Sequence, residues 1–297
     1  MTSRLFPRSL AAALALTVVL AGCDAADTAD TSATATVDTE DAVLTVASAL
    51  ALDGGGVLED AAAGAALADI APAALGSPPD GRPPFTPRPG CTPTRTFDAA
   101  TFVYTLTQDC SRTSGGGRFS ASFSRLATVR FLGADGQPQA ERAGATALDF
   151  DILSGTSAFV TPRGSHRLLS LTADFSVTDL DRDTVTVNGT YNRAAADTLS
   201  GPRGQRTLAH ELALTLADVR GPRGVRENWH RAVSGTITGT YHAVRTETRR
   251  DGTTTTREIT RDIAITLPRG GSDLAEIAMG GRRFHADRRT GDVRELQ

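Results

Sequence analysis

Leu169-Ser170-Leu171-Thr172-Ala173-Asp174-Phe175-Ser176-Val177 decides the architecture. Apolar residues at every second position share one face of an extended chain, and the intervening Ser, Thr and Asp demand water on the other. A strand with one wet face belongs to an antiparallel sheet, because parallel strands are covered on both sides. The same period runs outward from this stretch. Upstream, Phe102, Tyr104 and Leu106 alternate with Val103, Thr105 and Thr107, and Phe119, Ala121 and Phe123 alternate with Ser and Arg. Downstream come Val185, Val187 and Tyr191, then Leu208, Leu212, Leu214 and Leu216, then Val233, Ile237 and Tyr241, then Ile259, Ile263, Ile265 and Leu267. The runs predict an all-β domain of about ten strands, as a sandwich, an open barrel or one long curled sheet, and periodicity does not choose among the three. A membrane-spanning barrel is disfavoured, since aromatic girdles are missing.

Turn chemistry agrees with this reading. Asp251-Gly252 between two Thr-rich arms predicts a tight hairpin, and Thr290-Gly291-Asp292 predicts a last one. Pro-Arg-Gly recurs at Pro162, Pro202, Pro222 and Pro268, where Pro at the second and Gly at the fourth position suit a type I corner. An internal echo, Val187-Asn188-Gly189-Thr190-Tyr191 against Ile237-Thr238-Gly239-Thr240-Tyr241, is explained equally by similar strand ends and by duplication.

Before the strands the composition changes. Residues 1–22 carry Arg4 and Arg8, an apolar run over 10–20, then Ala21 and Gly22, which reads as a secretory signal too short to remain as a membrane span. Leu20-Ala21-Gly22-Cys23 resembles the lipobox of bacterial lipoproteins at every position, over the first 23 residues. The resemblance implies cleavage before Cys23, a diacylglycerol thioether on its sulfur and an acylated amino group. Three acyl chains anchor without help from the folded part. Asp24 resembles the inner-membrane retention signal of some enteric bacteria, whereas other phyla sort differently, so the choice of membrane stays open. The expected address is the cell envelope, with the domain in the periplasm or on the cell surface.

Residues 23–90 read as an acidic tether rich in Ala, Thr and Pro. Within it, 24–37 lacks large apolar groups and reads as disordered spacer, 39–52 and 57–70 as two short helices parted by Gly54-Gly55-Gly56, and 72–93 as a stiff proline-dense linker. Residues 91–297 are the β domain. From residue 24 to 81 there are eleven carboxylates and no Arg; from 82 onward 29 Arg face 23 acids. The tether is acidic and the domain mildly basic. Lysine is absent, which excludes a Walker-A lysine, a Schiff-base lysine and a Ser/Lys dyad. Arginine alone suits phosphate or carboxylate recognition, although a composition bias spreading Arg over wet strand faces accounts for it more simply. Interleaved acids make nucleic acid a poor partner. With Cys23 used for lipid, Cys91 and Cys110 remain as an even pair in an exported chain and predict a disulfide, contributing roughly 3 kcal/mol by loop closure.

Catalytic chemistry is thin. His166, His210, His230, His242 and His285 have no metal spacing, and His210-Glu211 lacks the second His of a zinc-protease helix. His210 is in register with Leu208 and Leu212 and reads as an inward, satisfied side chain. No Gly-x-Ser-x-Gly elbow occurs. Asp179, Asp181 and Asp183 stand at the first, third and fifth positions of a calcium loop, but Thr184 replaces its Gly and Thr190 its Glu, so a solvated acidic turn is the better reading. Asp149 and Asp151 share one strand face, and only their spatial setting decides whether they form a glycosidase pair. Asn188-Gly189-Thr190 is a formal sequon of little weight in a bacterium. Trp229 and Tyr241 suit core packing better than sugar stacking. These residues predict no catalytic set and no cofactor. They point to a lipid-anchored envelope protein whose β domain binds or scaffolds, with membrane contact through Cys23 and an anionic glycan or lipid headgroup as ligand. The alternatives are a secreted hydrolase of glycan or ester and a carrier of apolar molecules.

Overall fold

Thirteen strands hydrogen-bond into one antiparallel sheet in this computed structural model, which describes residues 27–52, 55–69, 91–113, 120–161, 164–201, 204–224 and 229–296. The stretch read as a signal, Cys23, the proline-dense stretch as far as residue 90, Phe119, Pro162 and Pro202 lie outside the described residues. The strands are β1 (Cys91–Asp98), β2 (Val103–Thr113), β3 (Ser120–Leu132), β4 (Pro138–Gln139), β5 (Ala147–Thr161), β6 (Gly164–Thr178), β7 (Thr184–Gly201), β8 (Gly204–Pro222), β9 (Ser234–Arg249), β10 (Thr254–Leu267), β11 (Leu274–Met279), β12 (Arg282–Asp287) and β13 (Val293–Glu295). Spatial order follows chain order, with only the two-residue β4 off the path, on β3. Of the three expected arrangements the structure is the single curled sheet. Strands of two to six residues, such as β4 and β11 to β13, carry too few alternations to be read as separate runs.

Two helices precede the sheet, α1 (Asp27–Leu50) and α2 (Val57–Leu67), and a single turn, α3 (Trp229–Ala232), follows β8. The chain divides into two compact units, residues 1–37 and 38–297. In the first, the backbone is helical from Asp27, within the stretch whose composition predicts a disordered spacer. The second takes in both the sheet and residues 38–69, which the sequence assigns to the tether. Ala42, Val43, Val46, Ala47 and Leu50 of α1 and nearly every residue of α2 are buried in one core with the inward faces of β2 to β12. A helix buried on all sides needs walls on all sides, and these are α1 and the curled sheet. Gly64 lets α2 sit directly on β5 and β6, since a Cβ there would lie 3.2 Å from Phe150 and 3.3 Å from Val177.

Curling has a local cause. The register slips at Leu126/Ala127, Leu168/Ser170, Val187/Gly189 and Ala217/Arg220, and each extra residue sharpens the twist. The slip at Leu168/Ser170 corrects the strand that opens the sequence reading: Leu168 points inward with Leu171, Ala173, Phe175 and Val177, whereas Leu169 is half exposed. Phe102 likewise leaves the predicted face for the β1–β2 turn, at φ 56°. The remaining inward residues named from the pattern on β7 to β10, Val185 through Leu267, are buried as expected.

The turns follow their chemistry. Gly252 at φ 84° and Gly291 at φ 82° close β9–β10 and β12–β13. Thr161 pairs with Gly164, and Gly201 with Gly204, as two-residue hairpin closures require. Cys91 and Cys110 stand opposite each other on β1 and β2 and form the disulfide. Trp229 and Tyr241 are core residues with no exposed surface. Arg288 is equally buried, donating to the carbonyls of Leu274, His230, Val233 and Pro268; burial, eased by Asp273, lowers its pKa to about 10.

Candidate functional site

α2 covers only part of the inner face. Its Asp60 reaches Arg125 on β3, and its far end reaches the turn region, where Asp69 pairs with Arg223 at 2.8 Å. Near the β5–β6 and β7–β8 hairpins the inner face is left beside α1 as an open cleft of about 380 Å³. Its floor is His166, Asp197 and Leu208, its rim Leu44, Phe159 and Leu199, and Asp41 and Arg206 close the α1 side. Register builds this set: Phe159 pairs with His166, His166 with Asp197, and Asp197 with Leu208, one inward row across four strands.

The polar groups of the floor are mutually engaged. His166 Nδ1 pairs with Asp197 at 2.7 Å and its Nε2 with the Arg193 guanidinium at 3.3 Å, so both ring nitrogens are occupied. His210 Nδ1 lies 3.6 Å from the other oxygen of Asp197. Burial opposes ionisation of Asp197, but the hydrogen bond from His166 and the nearby Arg193 guanidinium hold its carboxyl below the usual range. His210 is pushed down to about 4 by burial, with Asp197 pulling the other way and Arg193 adding to the depression. It is thus neutral at ordinary pH and inward, as its register predicts, but its buried Nδ1 has no hydrogen-bond partner, so it is not the satisfied side chain expected.

Behind the floor the polar chain continues into the core. Arg193 approaches Asp60, whose carboxylate takes two hydrogen bonds from Arg125, the longer at 3.4 Å. Asp60 has no exposed surface, and burial lifts its pKa to about 6 against the pull of Arg125, with Glu59 raising it and Arg193 lowering it further. A buried pair of this kind gains little net stability, but it strongly penalises any rotation of α2 that separates the partners. The sequence pattern gave no sign of it, since Asp60 sits among alanines at a position suited to the helix dipole.

The other face of the cleft is electrostatic. Asp41 lies 2.7 Å from Arg245 and 3.3 Å from Arg206, Asp38 lies 3.7 Å from Arg245, and Glu40 lies 3.2 Å from Arg282. The acidic tether and basic domain distinguished by composition meet here, with α1 docked by carboxylates on arginines of β8, β9 and β12.

The remaining candidates fall elsewhere. Asp149 and Asp151 are on the outer face of β5, Asp149 held by Arg130 at 2.7 Å and Asp151 accepting from Thr128 at 3.3 Å. Burial, and then Asp174, raises the pKa of Asp151. Asp179, Asp181 and Asp183 occupy the β6–β7 turn with separate partners: Asp179 accepts from Thr186 at 2.9 Å, Asp181 sits in the field of Arg142, and the Asp183 carbonyl accepts from the Arg223 amide. Among the described residues no three His, Cys, Asp or Glu side chains converge as a metal site. Asn188 accepts from the Asp218 amide at 2.8 Å, spanning the slip between β7 and β8. His242 pairs with Glu258 at 2.9 Å on the outer face, and His230 lies 3.6 Å from Asp273 at the opposite end. No family model, curated protein or solved structure matches the chain.

Proposed function

We propose that this chain is a lipid-anchored cell-envelope protein that binds rather than catalyses, taking an anionic glycan unit or lipid headgroup at the cleft beside α1. The observation that carries this reading is the engagement of His166 at both ring nitrogens: a general base needs one nitrogen free for the substrate proton. Arg206, which faces Asp41 at 3.3 Å, has further guanidinium donors for phosphate or carboxylate at the rim, and the apolar rim supports the rest of a small ligand. A carrier of bulky apolar cargo needs the inner face that α2 fills.

Two measurements test it. Metabolic labelling with a fatty-acid analogue should mark the wild-type chain and not Cys23→Ala; label persisting on the variant removes the anchor. Inorganic phosphate and glucuronate titrated by NMR should shift the resonances of Leu199 and Phe159, and Arg206→Gln should weaken the effect. Turnover of a chromogenic ester or glycoside that disappears in His166→Ala contradicts the binding reading.

A further inference from the structure

Two carboxylates line the α1 cleft, and they are used differently. Asp41 is taken up by Arg245 and Arg206, at 2.7 and 3.3 Å. Asp197 gives one oxygen to His166 at 2.7 Å, while its other oxygen lies 3.6 Å from His210, beyond hydrogen-bond reach. Among the described residues no donor reaches that second oxygen, yet the side chain keeps 39% of its surface exposed. His166 is in turn gripped by Arg193 at 3.3 Å, so the carboxylate is aimed before any ligand arrives. Around it stand Phe159, Leu199 and Leu44, exposed at 43%, 58% and 52%. A volume of about 380 Å³ is near the lower end of the roughly 300–1,000 Å³ of small-molecule sites, which suits a single ring.

We infer that this cleft recognises a sugar ring through its hydroxyl protons, with Asp197 as the specificity-determining residue. The inference deepens the binding reading of the same cleft and rests on it. An ionised carboxylate only accepts hydrogen bonds, so its open oxygen calls for a donor on the ligand. An ammonium is one such donor, but Arg206 at the rim and Arg193 behind His166 oppose a further cation. A ligand recognised by negative charge alone meets both carboxylates, and among the described lining residues Arg206 is the one arginine to attract it. Hydroxyls satisfy Asp197 without adding charge. The C–H faces of the ring then lie on Phe159, Leu199 and Leu44 and leave water, which is the usual division of labour between an apolar wall and a few placed polar groups. An acidic substituent on the ring gains Arg206 as a secondary contact.

The test is an NMR titration of the mature chain carrying Cys23→Ala, which keeps it in solution, read at the Leu199 resonances. The probes are glucose, galactose, mannose, glucuronate, glucosamine, glucose methylated at every hydroxyl, glycerol 3-phosphate and inorganic phosphate. At least one hexose should shift Leu199, methylation should abolish the effect, and glucosamine should bind no tighter than glucose. Glycerol 3-phosphate, which presents the hydroxyls of a lipid headgroup without a ring, should bind more weakly than glucuronate. Asp197→Asn should weaken hexose binding roughly tenfold or more, as loss of a hydrogen bond to a charged group does. Phe159→Ala, at an exposed position, should weaken it too with an unchanged melting temperature, and it carries the test together with the methylated sugar if Asp197→Asn fails to fold. The inference is overturned if no hexose acts, if the methylated sugar binds as well as the free one, or if glucosamine binds tenfold tighter than glucose. Equal binding of glycerol 3-phosphate and glucuronate assigns the cleft to a headgroup and overturns it as well, as does hexose binding indifferent to both substitutions. Shifts produced by phosphate alone remove the sugar and spare the binding reading, whereas silence of sugars and phosphate alike removes both.

Discussion

At Gly189 a Cβ would stand 1.9 Å from the Asp174 carbonyl oxygen, and at Gly239 2.0 Å from that of Ala213. These are the glycines of the two similar pentapeptides, and the repetition has a steric basis: at both places a neighbouring strand passes too close for any side chain. Gly239→Ala is expected to lower stability by more than about 2 kcal/mol in urea unfolding, because backbone rather than a movable side chain must yield. Gly252→Ala, which meets open space at φ 84°, should cost only about 1 kcal/mol of backbone strain. Two buried titrations offer a sharper test. Asp60 rises from 3.8 to about 6, so the folded state holds the extra proton between those values and this group makes stability fall as pH increases across them. His210 drops from 6.5 to about 4, so the unfolded chain holds the extra proton and stability rises with pH over nearly the same window. The slopes oppose each other. Relative to wild type, His210→Gln should show stability falling more steeply from pH 4 to 6, and Asp60→Asn should show it rising; parallel urea midpoints for all three proteins contradict the assignment.

The helices account for most of the difference between reading the chain and seeing it folded. Their existence and the glycine break between them are legible from alanine-rich runs, but their destination is not, because α2 is apolar nearly all round and has no polar face to orient it. The same limit applies to the cleft. His166 and Asp197 are 31 residues apart and meet only through the register of β6 on β7, which the slip at Leu168/Ser170 sets. That slip also moved the inward residue from Leu169 to Leu168, since period-two arithmetic cannot see an inserted residue. His210, lying between unslipped leucines, is placed correctly. For α1 the docking arginines predict a graded response. Asp38→Asn with Asp41→Asn should accelerate amide exchange in the first turns after residue 38 while residues 46–50, buried as Val46, Ala47, Ala49 and Leu50, keep their protection. Uniform acceleration along α1 argues against electrostatic docking of its first half. Gly64→Leu should lower stability by about 2–4 kcal/mol by lifting α2 off Phe150 and Val177.

For the molecule as a whole, the inner face of the sheet and the two helices complete one core. A chain lacking residues 24–69 exposes that face and should aggregate or bind the dye ANS strongly, as read by size exclusion and fluorescence; a monomeric, dye-silent product means that the sheet closes on itself. Reducing Cys91–Cys110 should have a milder effect. It frees β1, an edge strand that is mostly exposed and carries Pro93, and fraying there leaves the pairing of β3 to β12 intact.

Because each long strand lies beside the one synthesised just before it, a growing polypeptide can extend the sheet one hairpin at a time, with little long-range search. The helices do not share this advantage. They emerge first, apolar and without the walls they require, and remain so until the strands that enclose them have been made. While it is being made, this protein thus carries its greasiest helix naked, and its yield should depend on whatever holdase shields that helix until the last hairpins arrive.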